Sequence, residues 1–210
     1  MKQRAYFYYD IISPYVYLFL KMRGVLEQRL DLIPVPIFFP GLLRLQDNRG
    51  PAEVPEKRAH TYTFCVWKAK QLNIPFRFPK RHPFASAAAQ RLLLENNADF
   101  SMIDQAFDFV WAQGGDPELD WGKFCKAIYL PENTPKPQDE NIKQALIKAT
   151  EDAANHGIFG VPSIRINHQV FWGCDSIDWI LEFLDKPDLF SEPAYRDALM
   201  TINPLLNKAR

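Results

Sequence analysis

The 210-residue chain has no C-x-x-C pair; its three cysteines, Cys65, Cys125 and Cys174, stand far apart. That leaves no dithiol redox site, and it argues against a disulfide framework. The four histidines (His60, His82, His156 and His168) are scattered, with no two at metal-ligand spacing. Net charge is also missing, because 25 Lys and Arg balance 25 Asp and Glu. No global field therefore draws the chain to nucleic acid or to a charged surface. Long apolar runs are absent too. The segment 33–39 is interrupted by Pro34 and Pro36 and is too short to span a bilayer. The start, Met1-Lys2-Gln3-Arg4, leads straight into strand-like sequence without an apolar leader, so the cytoplasm is the expected address. What remains is ordinary for a globular protein: hydrophobic residues make up 47% of the chain, enough to bury a sizeable core.

The aromatic run over 4–9 reads as a strand, and 14 to about 30 as a helix with Tyr17, Leu18, Met22, Val25 and Leu26 on one stripe. Residues 30–36 read as a second strand, giving a β-α-β unit with parallel strands. The stretch 38–56 contains Pro, Gly and Asp-Asn and reads as a loop or a broken helical segment. Helices follow over 55–72, 86–96, 99–113, 119–130 and 141–156, the last stopped by Gly157. Strands return at 163–167 and 169–172 around a turn at Asn167-His168, and a helix over 175–184 closes the pattern. The order β-α-β, helices, β-β-α predicts an α/β fold: a thioredoxin-like sheet split by an all-helical insertion. The expected divisions are 1–40 and 157–185 for the sheet parts, 41–156 for the insertion, and 186–210 for a tail laid on the surface or on a partner subunit.

Three short motifs carry the chemistry. In Asp10-Ile11-Ile12-Ser13-Pro14-Tyr15, Pro14 suits the first helical turn and Ser13 the N-cap. Ser13 is then either a plain helix cap or the neighbour of an anion held at the helix start. In Gly157-Ile158-Phe159-Gly160-Val161-Pro162-Ser163, the Val161-Pro162 bond is a candidate for cis, the other reading being a trans proline opening a strand. In Trp172-Gly173-Cys174-Asp175-Ser176, Gly173 allows an unusual turn and Asp175 or Ser176 is a cap candidate. Asp175 could equally grip a ligand ammonium group, and Cys174 is a candidate nucleophile.

These three motifs, in this order, resemble the 2-hydroxychromene-2-carboxylate isomerase family, a branch of the DsbA-like and kappa-class glutathione transferase group. The resemblance runs from about residue 4 to residue 184. It implies a homodimer with glutathione as cofactor. It also implies that Ser13, matching the first redox cysteine of DsbA, donates a hydrogen bond to the glutathione sulfur and favours the thiolate. By the same resemblance, Val161, next to Pro162, pairs with the cysteinyl backbone. Trp172, Gly173, Cys174 and Asp175 hold the γ-glutamyl end, and Asn48, in Asp47-Asn48-Arg49-Gly50-Pro51, contacts glutathione. The implied reaction is cis-trans isomerisation of a small unsaturated, aromatic-type carboxylate. Arg44 and His82 are the expected substrate-binding residues. Two departures bear on the substrate: Glu53 follows Gly50-Pro51-Ala52 where an amide is expected, and His82 stands for a tyrosine. Two alternatives share the fold: a kappa-like glutathione transferase or peroxidase, and a redox-inactive thioredoxin-fold binding module.

Overall fold

A computed structural model describes residues 2–204 of the chain. Contacts divide it into two compact units, Met1–Asp175 and Ser176–Arg210.

In the first unit, β1 (Gln3–Tyr9) leads to α1 (Pro14–Met22), the single turn α2 (Gly24–Glu27) and β2 (Leu30–Pro36). Helices α3 (Phe39–Leu45), α4 (Pro55–Gln71), α5 (Ala87–Glu95), α6 (Phe100–Phe107), α7 (Trp121–Ala127) and α8 (Glu140–Asn155) follow, and then β3 (Ser163–Ile166) and β4 (Gln169–Trp172). The sheet order is β2-β1-β3-β4. β1 runs parallel to β2, with Phe7 opposite Pro34, and antiparallel to β3, with Phe7 opposite Ile164. β2 is an edge strand, which is why it tolerates Pro34 and Pro36, neither with an N–H to give. Alternation in β1 sends Ala5, Phe7 and Tyr9 into the core. There Phe7 stacks on Phe19 at 5.2 Å and on Phe100 at 5.9 Å.

The helix expected from 14 to about 30 is interrupted at Arg23. The Arg23 guanidinium turns back to the Leu20 carbonyl at 2.7 Å and forms a two-pronged pair with Asp104 on α6, both contacts 2.7 Å. Val25 is consequently exposed, and Leu26 alone of α2 is buried. The stretch 38–56 contains one regular helix, α3, and a short 3-10 turn, Pro51–Glu53. After α6 the chain widens into a π-helical segment, Asp108–Ala112, in which Trp111 is fully buried.

The second unit holds α9 (Ile177–Asp185), a 3-10 turn at Leu189–Ser191 and α10 (Pro193–Met200). Phe190 ties them together, with ring centroids 5.6 Å from Trp179, 5.5 Å from Phe183 and 5.4 Å from Tyr195. The end of the tail, 205–210, lies outside the described residues. Among those described, no helix is long and apolar enough to cross a membrane.

Candidate active site at the start of the first helix

The site is built on the turn between β1 and α1, and nearly every backbone polar group of that turn is held by a named partner. Asp10 is completely buried. Its carboxylate accepts the Ile12 N–H at 3.0 Å, the Phe39 N–H at 2.8 Å and the Ser86 hydroxyl at 3.1 Å. Burial raises its pKa to about 6 in spite of these three donors. Gln90 accepts the Ile11 N–H at 3.2 Å and donates to the Tyr9 and Ile37 carbonyls, both at 2.9 Å. The Trp111 indole donates to the Ile11 carbonyl at 2.9 Å. His82 Nε2 lies 2.8 Å from the Ile12 carbonyl. A carbonyl oxygen only accepts, so Nε2 carries the hydrogen. His82 Nδ1 is left to accept from the Tyr62 hydroxyl, 2.5 Å away.

Ser13 is the N-cap residue of α1, with extended backbone angles and Pro14 in the first turn, yet its side chain makes no cap bond. Its N–H donates to the Asp10 carbonyl at 3.0 Å. Its hydroxyl points across to the Val161 carbonyl, 3.4 Å away. Ser13 thus holds the N-cap position of α1 without a side-chain cap bond. The Val161-Pro162 bond is cis. Among the described residues the Val161 N–H has no acceptor. The Pro162 carbonyl takes the Gly173 N–H at 3.0 Å, joining the proline loop to the end of β4. Gly173 has φ +99°, a conformation that disfavours a side chain. Phe159 and Trp172, both exposed, pack at 5.3 Å beside the loop. A Cβ on Gly160 would collide with the Trp172 indole, so glycine is needed for that close approach.

Cys174 does not meet the requirements of a nucleophile. It is buried, and its thiol pKa is pushed up to about 12, first by burial and then by the charge of Asp175, with Lys68 opposing. Cys65 on α4 is shifted in the same direction by burial and by Cys174. Tyr15, two residues beyond Ser13, is half-buried, and burial raises its hydroxyl pKa, with Cys65, Cys174 and Asp175 acting in the same direction and Thr61 opposing. Sequence reasoning passed over Tyr62, Gln90 and Trp111, and it quoted Tyr15 in the Ser13 motif without assigning it a role.

The remaining candidates are less tightly joined to Ser13. Asn48 is exposed, with Oδ1 accepting the Arg49 N–H at 2.8 Å. Its segment reaches the proline loop through Gln46, whose amide donates to the Ile158 carbonyl at 2.7 Å. Glu53 is folded back onto the Gly50 N–H at 2.7 Å. Arg44 is exposed in the last turn of α3, with no ion pair or side-chain hydrogen bond among the described residues. His82 has both ring nitrogens engaged by the protein. No group of three His, Cys, Asp or Glu suited to a metal occurs among the described residues.

A family profile for the DSBA-like thioredoxin domain matches residues 6–185. The chain belongs to the DSBA-like thioredoxin-domain family. Within or beside that family, the chain is 25% identical over 207 residues to glutathione S-transferase kappa 2 of Caenorhabditis elegans, covering 86% of this chain and 91% of that protein. It is 26% identical over 198 residues to 2-hydroxychromene-2-carboxylate isomerase of Sphingobium xenophagum, covering 85% of this chain and 96% of that one. A solved structure of 2-hydroxychromene-2-carboxylate isomerase superposes with a TM-score of 0.76 over 95% of this chain and all of that one, at 16% identity. The thioredoxin-like fold of the DSBA-like domain is thereby established, with Ser13 at the helix start.

Proposed function

We propose that the chain is a glutathione-dependent cis-trans isomerase of the 2-hydroxychromene-2-carboxylate isomerase type, working as a cytoplasmic homodimer in the degradation of aromatic compounds. The observation that carries the reading is the Ser13 hydroxyl, buried at the helix start and turned away from its own helix toward the Val161 carbonyl, 3.4 Å away. That distance lies beyond the usual O–H···O range of about 2.5–3.0 Å, so the hydroxyl is free to swing onto a sulfur.

The residues fit glutathione. The unpaired Val161 N–H, and its carbonyl once Ser13 turns, offer an extended peptide one donor and one acceptor beside Pro162. Asp175 supplies a carboxylate for an ammonium group, on the turn that Trp172, Gly173 and Cys174 form. Asn48 extends the contact from the segment that Gln46 ties to the proline loop. When bound, glutathione supplies a nucleophilic sulfur able to add reversibly to a conjugated carbon, so that a double bond can rotate. Ser13 donates to that sulfur and favours its anionic form; a charge-assisted bond of about 1.5–3 kcal/mol corresponds to about one to two pKa units. The positive end of α1 acts in the same direction. Arg44, exposed and unpaired among the described residues, is the cation that the reading assigns to a substrate carboxylate.

The experiment is turnover of unsaturated α-keto acids and chromene carboxylates with glutathione at catalytic concentration, alongside calorimetry of glutathione binding. Turnover without loss of thiol is the expected result, and Ser13→Ala should raise the pKa of the bound thiol by about one to two units. Stoichiometric loss of thiol would favour the second reading, a kappa-like glutathione transferase or peroxidase, which the similarity to the kappa 2 transferase supports. Absence of binding would leave a redox-inactive thioredoxin-fold module.

A further inference from the structure

Ser13 is aimed by a peptide bond that a histidine holds from behind. The Ile12 carbonyl belongs to the peptide group that enters Ser13, and His82 Nε2–H donates to it at 2.8 Å. The ring is enclosed by aromatic groups, with centroids 5.3 Å from Trp111, 6.1 Å from Phe84 and 6.2 Å from Phe78. Its other nitrogen accepts from the Tyr62 hydroxyl on α4. That hydroxyl has a second acceptor within reach, the backbone carbonyl of His82 itself, at 3.2 Å. Tyr62 is fixed in turn by stacking on Phe78 at 4.3 Å. Arg58, whose guanidinium donates to the same His82 carbonyl at 3.1 Å and lies 5.1 Å from the Tyr62 ring, is a charged group facing this assembly, and the titratable Cys65 on α4 acts on the Tyr62 hydroxyl.

The arrangement has two states. With a neutral ring, Tyr62 donates to Nδ1 and Nε2–H holds Ile12. With a protonated ring, Nδ1 becomes a donor, and Tyr62 must accept from it and turn its own hydrogen to the His82 carbonyl. Burial and the Arg58 charge favour the neutral ring, against the Ile12 bond, so its pKa lies below the ordinary histidine value.

We propose that His82, kept in its Nε2–H form by Tyr62, is a positioning residue that sets the Ser13 hydroxyl through the Ile12 carbonyl and couples that site to pH. This rests on the reading of Ser13 as the thiolate-stabilising group, but its first test does not require glutathione.

Backbone amide NMR of the unliganded protein is followed from about pH 8 to about pH 5, across the ordinary histidine value of about 6.5. The Ser13 amide should show an inflection below that value. The inflection should vanish in His82→Gln and move to lower pH in Tyr62→Phe, where the protonated ring loses the acceptor of its charge-assisted Nδ1–H bond while the stacking on Phe78 is kept. Asp10, whose carboxylate accepts the Ile12 N–H and titrates near pH 6, gives an inflection that should survive in both variants, which separates the two groups. A Ser13 amide whose titration is unchanged in His82→Gln overturns the proposal. With glutathione added, the pKa of the bound thiol, read by ultraviolet absorbance, should rise in His82→Gln. A lower melting temperature with the thiol pKa unmoved would assign His82 a purely structural role and also overturn it. Failure of the wild-type protein to bind glutathione would refute the proposed function, while the amide titration would still decide the role of His82.

Discussion

Asp10 shows how a single side chain organises the site and what that costs. It replaces water with three protein donors, from the chain's own turn, from the start of α3 and from Ser86. Its pKa in the fold is raised to about 6 from an ordinary carboxylate value. The sign follows from proton binding. Between the unfolded and folded pKa values the native state holds the proton more tightly, so stability is greatest at the acid end of that window. It falls as pH rises toward 6 and is flat above. The full effect is about 3 kcal/mol. The difference in unfolding free energy between the wild type and Asp10→Asn should therefore move against the wild type as pH rises from about 4 to about 6. Urea denaturation at a series of pH values measures this, and a pH-independent difference would contradict it. The N-cap position of Ser13 and the strand start after Pro162 were readable in the sequence because each is a feature of the local backbone. Tyr62, Gln90 and Trp111 were not, because each acts through a bond to a residue distant in sequence. Trp111 and Ile11, for instance, lie 100 residues apart. The polar role of Gln90 is hidden on a helix whose buried face is otherwise apolar, with Ala89, Leu92 and Leu93 beside it.

At the scale of elements, the four strands were legible because their patterns are local. β2 was expected over 30–36 and runs over Leu30–Pro36. The helix after Ser13 was legible at its start and not at its end. Gly24 is the one local hint of a break between residues 14 and 30, and the partner that Arg23 finds at the break, Asp104, lies 81 residues away. Arg23 gives its fork to Asp104, a further donor to Leu20, and its Nε to Glu27 at 2.7 Å, and lies 4.7 Å from the Phe100 ring. It therefore fixes α1 to α6. Removing it in Arg23→Ala should cost about 1.5–3 kcal/mol. Arg23→Lys should recover little, because an ammonium cannot reproduce the planar two-pronged contact. Chemical denaturation of both, with Asp104→Ala completing a double-mutant cycle, measures the coupling. Additive single effects would show that the pair contributes nothing to joining these helices.

At the scale of the whole molecule, the family likeness and the contact pattern meet in one physical point about the first unit. The turn that carries Ser13 is sheet-borne, but the groups that hold it come from helices between β2 and β3: Gln90 from α5, Trp111 from the π-helical segment after α6, and His82 from the stretch between α4 and α5. Neither part satisfies its own polar groups alone. Without the helices, the buried turn would keep unpaired N–H and C=O groups at about 1–3 kcal/mol each. Without the turn, Gln90 and the Trp111 indole would lose partners inside an apolar interior. The sheet and the helices of Met1–Asp175 should accordingly unfold together. Helical circular dichroism and tryptophan fluorescence should give coincident urea transitions for this unit. Gln90→Ala, which strips partners from Tyr9, Ile11 and Ile37 at once, should lower both midpoints equally. A helical signal that persists after the fluorescence of Trp111 has reported loss of its buried site would show that the helices stand on their own, and the site would then be a surface laid between two independently folding parts.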